Sequence, residues 1–396
     1  MEQNQTPDRP RRRSPYQRNR RLQGQYLATL LVGTVVLFTL LGILWKDRDF
    51  SESENRSLAG FPELTVASAM DGSFLKGLGD YVADQFPGRD MWMSLNLWMN
   101  KTLGQKEANG VYLGEDGYLI QIPGEPNAVQ HERNLDAIND FAARHEDLNI
   151  VMSVAPNAVT IYSDKLPEFA PVRNQAADLA HIKGKLNGTT FVDVTDILKA
   201  YRDDQLYYRT DHHWTSLAAY CAFQAIAPHL EIDPPALANY TVYTVSNTFE
   251  GTLSSKSGSH EVYDTVEIYI PRTEIEYYVT YPGDQVGICS MYDRSALDKK
   301  DHYTVFFGGN YSRVDITTTA NTERNLLIFK DSYANCMVQF LYPYFDHITM
   351  IDPRYYYDNV ENVISSESIT DVLYLYNLDT FLGDSSLADV LTADMN

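Results

Sequence analysis

The sequence predicts an α/β fold: a parallel β-sheet with helices on both faces, preceded by one N-terminal transmembrane helix. Three observations lead there. Short continuous apolar runs recur at Leu148–Val154, Asn325–Phe329, His347–Ile351 and Asp371–Tyr376, as strands covered on both faces require. Helical stretches alternate with them, among them Val129–His145, Ala176–Leu186 and Ser216–Leu230, and that alternation is the mark of a parallel sheet. Finally, Tyr26–Trp45 is a run of twenty residues without a charge, long enough to cross a hydrocarbon core of roughly 30 Å.

The apolar run reads as an uncleaved signal-anchor. Tyr26 and Trp45 stand at its ends, where amphipathic rings favour the interface. Arg9, Arg11, Arg12, Arg13, Arg18, Arg20 and Arg21 all precede it, so the positive-inside rule puts the N-terminus in the cytoplasm and the rest of the chain outside the cell. A cleaved signal peptide would end in small residues; this run ends Leu44-Trp45-Lys46-Asp47. The expected organisation is a basic cytoplasmic tail (1–25), a membrane span (26–45), a polar stalk with a helical lead-in (46–107) and an α/β domain (108–396). Within the lead-in, Met91–Leu103 is helical; after it, Asn109–Ile122 reads as a hairpin turning at Gly114–Gly117. Thr190–Val194 is a further strand. Residues 239–320, rich in Tyr, Thr, Val and Gly, read as a β-rich insertion.

Composition narrows the function. The chain carries a net charge of −21, and beyond residue 45 it holds 25 basic against 51 acidic residues. Such a body excludes nucleic acid, whose phosphates need a positive footprint, and lying flat on anionic lipid. Three cysteines, Cys221, Cys289 and Cys336, are too few for a disulfide framework and match no zinc pattern. The 28 tyrosines suit half-wet surfaces and sugar-binding grooves.

Two segments can carry chemistry. In Leu327-Ile328-Phe329-Lys330-Asp331-Ser332-Tyr333-Ala334, a strand runs into Ser332 and a helix follows. Ser332 thus stands at the carboxyl edge of the sheet, where ligands bind in open α/β folds, beside backbone N–H groups able to hold an oxyanion. The alternative is a plain helix cap. In Tyr208-Arg209-Thr210-Asp211-His212-His213-Trp214-Thr215, Asp211 and His213 are spaced so that the carboxylate can hold one ring nitrogen while the other faces a nucleophile. His212 is the competing base. A metal site of Asp211, His212 and His213 lacks further ligands at motif spacing, so neither metal nor other cofactor is implied.

Asp211-His212-His213-Trp214 resembles the signature of the bacterial DHHW family, which is similar to AlgJ/AlgX-type alginate O-acetylation proteins with an SGNH-hydrolase-like domain. The resemblance spans about residues 51–380. It includes Ser51-Glu52-Ser53-Glu54-Asn55-Arg56, Asp84-Gln85-Phe86-Pro87-Gly88-Arg89-Asp90, Asn109-Gly110-Val111-Tyr112, Asp116-Gly117-Tyr118-Leu119 and Lys330-Asp331-Ser332-Tyr333. It implies a three-layer α/β/α fold and a triad of Ser332 as nucleophile, His213 as base and Asp211 as its orienter. It further implies acetyl transfer to an envelope polysaccharide from a polytopic membrane acyltransferase. Lys330 replaces the glycine that SGNH enzymes carry before Asp-Ser. Asn157 and Asn377 both suit the oxyanion role, Arg354 suits either substrate binding or a structural salt bridge, and Tyr333 and Trp214 stand beside the triad. An acetyl esterase and a non-catalytic glycan-binding or scaffold protein are the rival readings. The separation of Ser332 and His213 discriminates the last of these, since catalysis needs them within about 4 Å.

Overall fold

Residues 15–51, 53–54, 56–284 and 286–393 are described by the structure, a computed structural model. Arg9, Arg11, Arg12 and Arg13 of the basic tail, and Glu52 and Asn55 of the Ser51–Arg56 motif, lie outside them. The chain divides into two units: residues 1–52 with 56–95, and residues 53–55 with 96–396.

In the first unit a helix covers Pro15–Leu44. Its Leu22–Leu44 portion is the one stretch among the described residues long and apolar enough to cross a membrane. Strands β1 (Phe50–Ser51) and β2 (Arg56–Ser57) pair antiparallel. The polar segment after this helix is held by specific contacts: Arg48 grips Asp90 through two hydrogen bonds of 2.8 and 3.1 Å. Asp84 accepts from Arg56 Nη1 at 2.9 Å and from the Ala59 backbone at 2.9 Å. The Arg56 hydrogen bond holds the Asp84 carboxyl down at about 2.

In the second unit β3 (Glu107–Ala108), β4 (Val111–Leu113) and β5 (Leu119–Gln121) form a small antiparallel sheet. The main sheet contains β6 (Asn149–Ala155), β7 (Thr190–Phe191), β10 (Tyr277–Tyr281), β11 (Val286–Ile288), β12 (Arg313–Thr318), β13 (Asn325–Lys330), β14 (His347–Ile351) and β15 (Asp371–Asn377), in the order β11-β10-β12-β14-β13-β15-β6-β7. The five strands from β14 to β7 are parallel. Successive residues of β13 point to opposite faces: Leu326 and Ile328 enter one apolar cluster, Leu327 and Phe329 the other. Helices Ser216–Ile226 and Tyr333–Leu341 cover the first face; Ala128–Arg144, Gln175–Lys185 and Val360–Ser366 cover the second. The result is the three-layer α/β/α arrangement.

The insertion does not stand apart from this sheet. β8 (Tyr240–Phe249) and β9 (Asp264–Pro271) form a separate two-stranded ribbon, but β10, β11 and β12 extend the main sheet antiparallel beyond β14. The sheet is therefore mixed where the sequence reads as parallel. The physical reason lies in the connections: only residues 319–324 join β12 to β13, which flank β14, whereas two strands running the same way need a crossover of a dozen residues or more.

Candidate functional site

At the carboxyl end of β13 the chain turns through Asp331 and Ser332 into helix Tyr333–Leu341. Asp331, fully buried, does the capping. Its Oδ1 accepts the Tyr333 N–H at 2.9 Å, and its Oδ2 accepts the Asn377 N–H at 2.9 Å, tying this turn to the end of β15. The Ser332 hydroxyl makes no cap hydrogen bond. It meets His213 Nε2 at 2.7 Å.

His213 lies on a tight return of the chain. Tyr207 and Trp214 bridge antiparallel, and the Tyr208 N–H donates to the His213 carbonyl at 3.2 Å. Within the return, Asp211 Oδ1 accepts His213 Nδ1 at 2.6 Å and the His213 backbone N–H at 2.9 Å. With Nδ1 protonated and donating to Asp211, Nε2 is the free base facing Ser332. Asp211 Oδ2 accepts the Thr252 N–H at 2.7 Å and its hydroxyl at 2.8 Å. Burial alone would raise the Asp211 pKa. The two imidazoles and these hydrogen bonds outweigh it and hold the carboxyl far below the usual range, so it stays an anion at any working pH.

His212 does not face Ser332. Its Nδ1 lies 2.9 Å from Thr252 Oγ1, and its ring packs on His213 with centroids 3.9 Å apart. Burial and the neighbouring His213 push its pKa down to about 4. Asp211, His212 and His213 bring ligand atoms within 4.8 Å of one another. Both Asp211 oxygens, His212 Nδ1 and both His213 ring nitrogens already hold hydrogen bonds, to one another, to Thr252 and to Ser332.

The insertion supplies the floor of the site, and the sequence offered no motif for any of it. Tyr303 stacks on His213 at 3.7 Å between centroids and 12° between planes, and its hydroxyl donates to the Ser332 carbonyl at 2.8 Å. Asp264, buried at the start of β9, accepts the backbone N–H groups of Arg209 and Thr210, the Thr210 hydroxyl and Gln205 Nε2. Four donors converging on one carboxylate fix the backbone just before Asp211. Gly251 passes against Asp211 so closely that a Cβ there would sit 2.5 Å from Oδ2 and 2.8 Å from Cγ. Asp301 adds a further carboxyl, which burial and the nearby Asp211 push up to about 6.

The remaining residues fall into two groups. Trp214 and Tyr333 are buried and face each other: Trp214 Nε1 donates to the Tyr333 carbonyl at 3.0 Å, and the Tyr333 hydroxyl donates to the His212 carbonyl at 2.5 Å. They staple the histidine segment to the serine turn. Asn157 and Asn377 meet at the carboxyl ends of β6 and β15, Asn157 Nδ2 donating to Asn377 Oδ1 at 3.0 Å. Gln175 Nε2 donates to Asn157 Oδ1 at 2.7 Å. Asn377 Oδ1 also accepts the N–H groups of Asp379 and Thr380, which fixes which way its amide points. Among the described residues no acceptor meets the buried Asn377 Nδ2. Arg354 forms a bidentate pair with the buried Asp352, at 2.8 and 2.6 Å.

Lys330, in the place of the glycine, is fully buried. Its Nζ donates to Asn335 at 2.8 Å and Asn310 at 3.3 Å, with Asp352 3.9 Å away. Burial pushes its pKa from 10.5 down to about 8, against the pull of Asp352. Between those two values the unfolded chain binds the proton and the folded chain does not, so this residue makes stability rise with pH across that window and leaves it flat below. Chemical unfolding of wild type and Lys330→Met across the window tests this: the wild type should gain on the variant as pH rises through about 8.

This fold, with a serine–histidine–aspartate line at the carboxyl edge of its sheet, is that of an SGNH-like protein. The chain belongs to the DHHW protein family, which matches residues 149–351, just over half of its length. A DHHW family protein from Eubacterium siraeum superposes with a TM-score of 0.62 at 27% identity, over 72% of this chain and 96% of that one. PatB1 of Bacillus cereus, solved with a sulfonyl adduct, shares the fold at a TM-score of 0.60 and 20% identity, over 71% of this chain and 97% of its own. In sequence the chain is similar to a probable alginate O-acetylase, AlgJ, of Pseudomonas fluorescens: 24% identity over 187 residues, 43% of this chain and 46% of the relative. The chain thus spans about half the length of the curated relatives it matches.

Proposed function

We propose that this protein is a membrane-anchored O-acetyltransferase that acylates a cell-envelope polysaccharide outside the cell through Ser332, His213 and Asp211. The observation that carries the reading is the unbroken hydrogen-bond line from Asp211 through His213 to Ser332 Oγ. The similarity to a probable alginate O-acetylase supports the reaction class.

The reaction runs in two halves. His213 Nε2 takes the Ser332 proton as Oγ attacks the acetyl carbonyl of the donor ester. The tetrahedral intermediate collapses, and the departing donor oxygen takes that proton from His213. A glycan hydroxyl then attacks acetyl-Ser332, giving its proton to Nε2, and collapse returns the proton to Oγ. Asp211 keeps Nδ1 protonated and stabilises the imidazolium. The unpartnered Asn377 Nδ2 is the oxyanion donor in this scheme, and Asn157 holds it in place. Residues 26–45 serve as the single span, with the N-terminus cytoplasmic and the 108–396 domain outside. Acetyl-CoA is cytoplasmic, so the donor is relayed by a polytopic membrane acyltransferase. With water in place of the glycan the same line of residues is an acetyl esterase.

The test uses the full chain in detergent micelles with p-nitrophenyl acetate. Wild type should release p-nitrophenol in a burst stoichiometric with enzyme and carry an acetyl group on Ser332 by peptide mass analysis. Ser332→Ala should show neither. Equal release from the variant removes Ser332 from the reaction.

A further inference from the structure

β13, which ends in the Ser332 turn, is flanked in the sheet by β14 and β15. The segments that follow those two flanking strands line an open hollow of about 420 Å³, formed by Arg354, Tyr357 and Asp358 from beyond β14 and by Ser386, Asp389 and Val390 from beyond β15. Its volume lies in the range of small-ligand sites, roughly 300–1,000 Å³. It connects to the serine turn through side chains: Arg354 pairs with Asp352, Asp352 lies 3.9 Å from Lys330 Nζ, and Lys330 precedes Ser332 by two residues.

We propose that this hollow is the acceptor subsite, and that it takes an uncharged or amine-bearing sugar chain and refuses a polyuronate. The proposal rests on the acyl-transfer reading of Ser332. Two observations favour it. Tyr357 is 90% exposed and Tyr355 49%, with the Arg354 guanidinium 5.5 Å over the Tyr355 ring. An exposed phenol lining a hollow, as Tyr357 does here, gives a sugar an apolar face to stack on and a hydroxyl to bind. The charge is the second. Among the described lining residues Arg354 is the sole cation, and Asp352 already neutralises it; Asp389 is paired with Arg133, and Asp358 adds a further carboxylate. Beyond residue 45 acids outnumber bases 51 to 25. That field opposes a polymer with a carboxylate on every sugar and favours neutral hydroxyls or ammonium groups.

Calorimetric titration of the full chain in micelles decides it, with three probes of equal length: a β-1,4-linked N-acetylglucosamine oligomer, its de-N-acetylated form, and an oligouronate. The first two are expected to bind and the uronate to bind far more weakly. Tyr357→Ala should weaken binding roughly three- to tenfold, whereas Tyr243→Ala, an exposed tyrosine of the β8 ribbon that does not line the hollow, should not. Uronate binding as tight as the neutral oligomer, no binding by any probe, or an unchanged affinity in Tyr357→Ala overturns the proposal. A wild type that binds glycan yet shows no p-nitrophenyl acetate burst sinks the acyl-transfer reading instead.

Discussion

Replacing Asp211 by Asn is expected to lower turnover by about four orders of magnitude while leaving the fold intact. The reason is the set of donors around the carboxylate. Oδ1 accepts two N–H groups of His213, and Oδ2 accepts the backbone N–H and hydroxyl of Thr252. An amide has one oxygen for these two clusters. If the oxygen turns to His213, the new NH2 points at the Thr252 N–H, and donor meets donor. If it turns to Thr252, the NH2 faces His213 Nδ1 and can be accepted only by a deprotonated Nδ1. That places the imidazole proton on Nε2, where it faces Ser332 and can no longer take the serine's proton. The second orientation keeps both Thr252 hydrogen bonds and lets the imidazole adjust by moving its proton. The Tyr303 stacking, the Tyr208 hydrogen bond and the Trp214 staple do not involve the carboxylate, so the loop keeps its shape. Burst kinetics with p-nitrophenyl acetate, beside thermal unfolding, measure both halves of the claim. Unchanged turnover in a folded variant would remove Asp211 from the reaction.

The two motif segments were legible because their geometry is local. Asp211 and His213 are two residues apart, and Ser332 stands one residue beyond a run of five buried strand residues. The strands were legible for the same reason: a continuous apolar run such as β13 has both faces buried and no other comfortable place. Gly251, Thr252, Asp264 and Tyr303 were not legible. They sit at the ends of short elements of the insertion or in a 3-10 turn: Gly251 and Thr252 open a six-residue helix, Asp264 opens β9, and Tyr303 lies in the 3-10 turn His302–Val305. No periodicity marks such a side chain as inward-facing, and each reaches the site across a long sequence separation. Thr252 is 41 residues from the carboxylate it holds. A pattern of period 2 or 3.6 reports burial on one element; it carries nothing about which loop closes over which. The roles of Trp214 and Tyr333 were hidden likewise. Both stand beside the triad in sequence, and only the fold turns them toward each other and away from solvent.

Gly251→Ala is expected to be the most damaging change outside Ser332, His213 and Asp211, though residue 251 carries no functional group. Its φ of −84° suits any residue, so no backbone strain follows from the substitution itself. The conflict is purely one of space. The added Cβ would lie 2.5 Å from Asp211 Oδ2 and 2.8 Å from Cγ, closer still to Cβ. Ordinary contact begins near 3.4 Å, so one partner must move by more than half an ångström. Asp211 is the constrained one, with four hydrogen bonds on its carboxylate and the preceding backbone pinned by Asp264. Gly251 is constrained too, since its N–H donates to Thr210 Oγ1 at 3.0 Å. Overpacking of this kind costs about 1–3 kcal/mol of stability. The rate should suffer more, because a displacement near 1 Å in a catalytic group costs about a hundredfold. The expected signature is therefore a modestly lowered unfolding midpoint with a burst rate reduced about a hundredfold or more. A variant with wild-type rate would show that the segment around Gly251 yields freely and that the carboxylate does not depend on it for position.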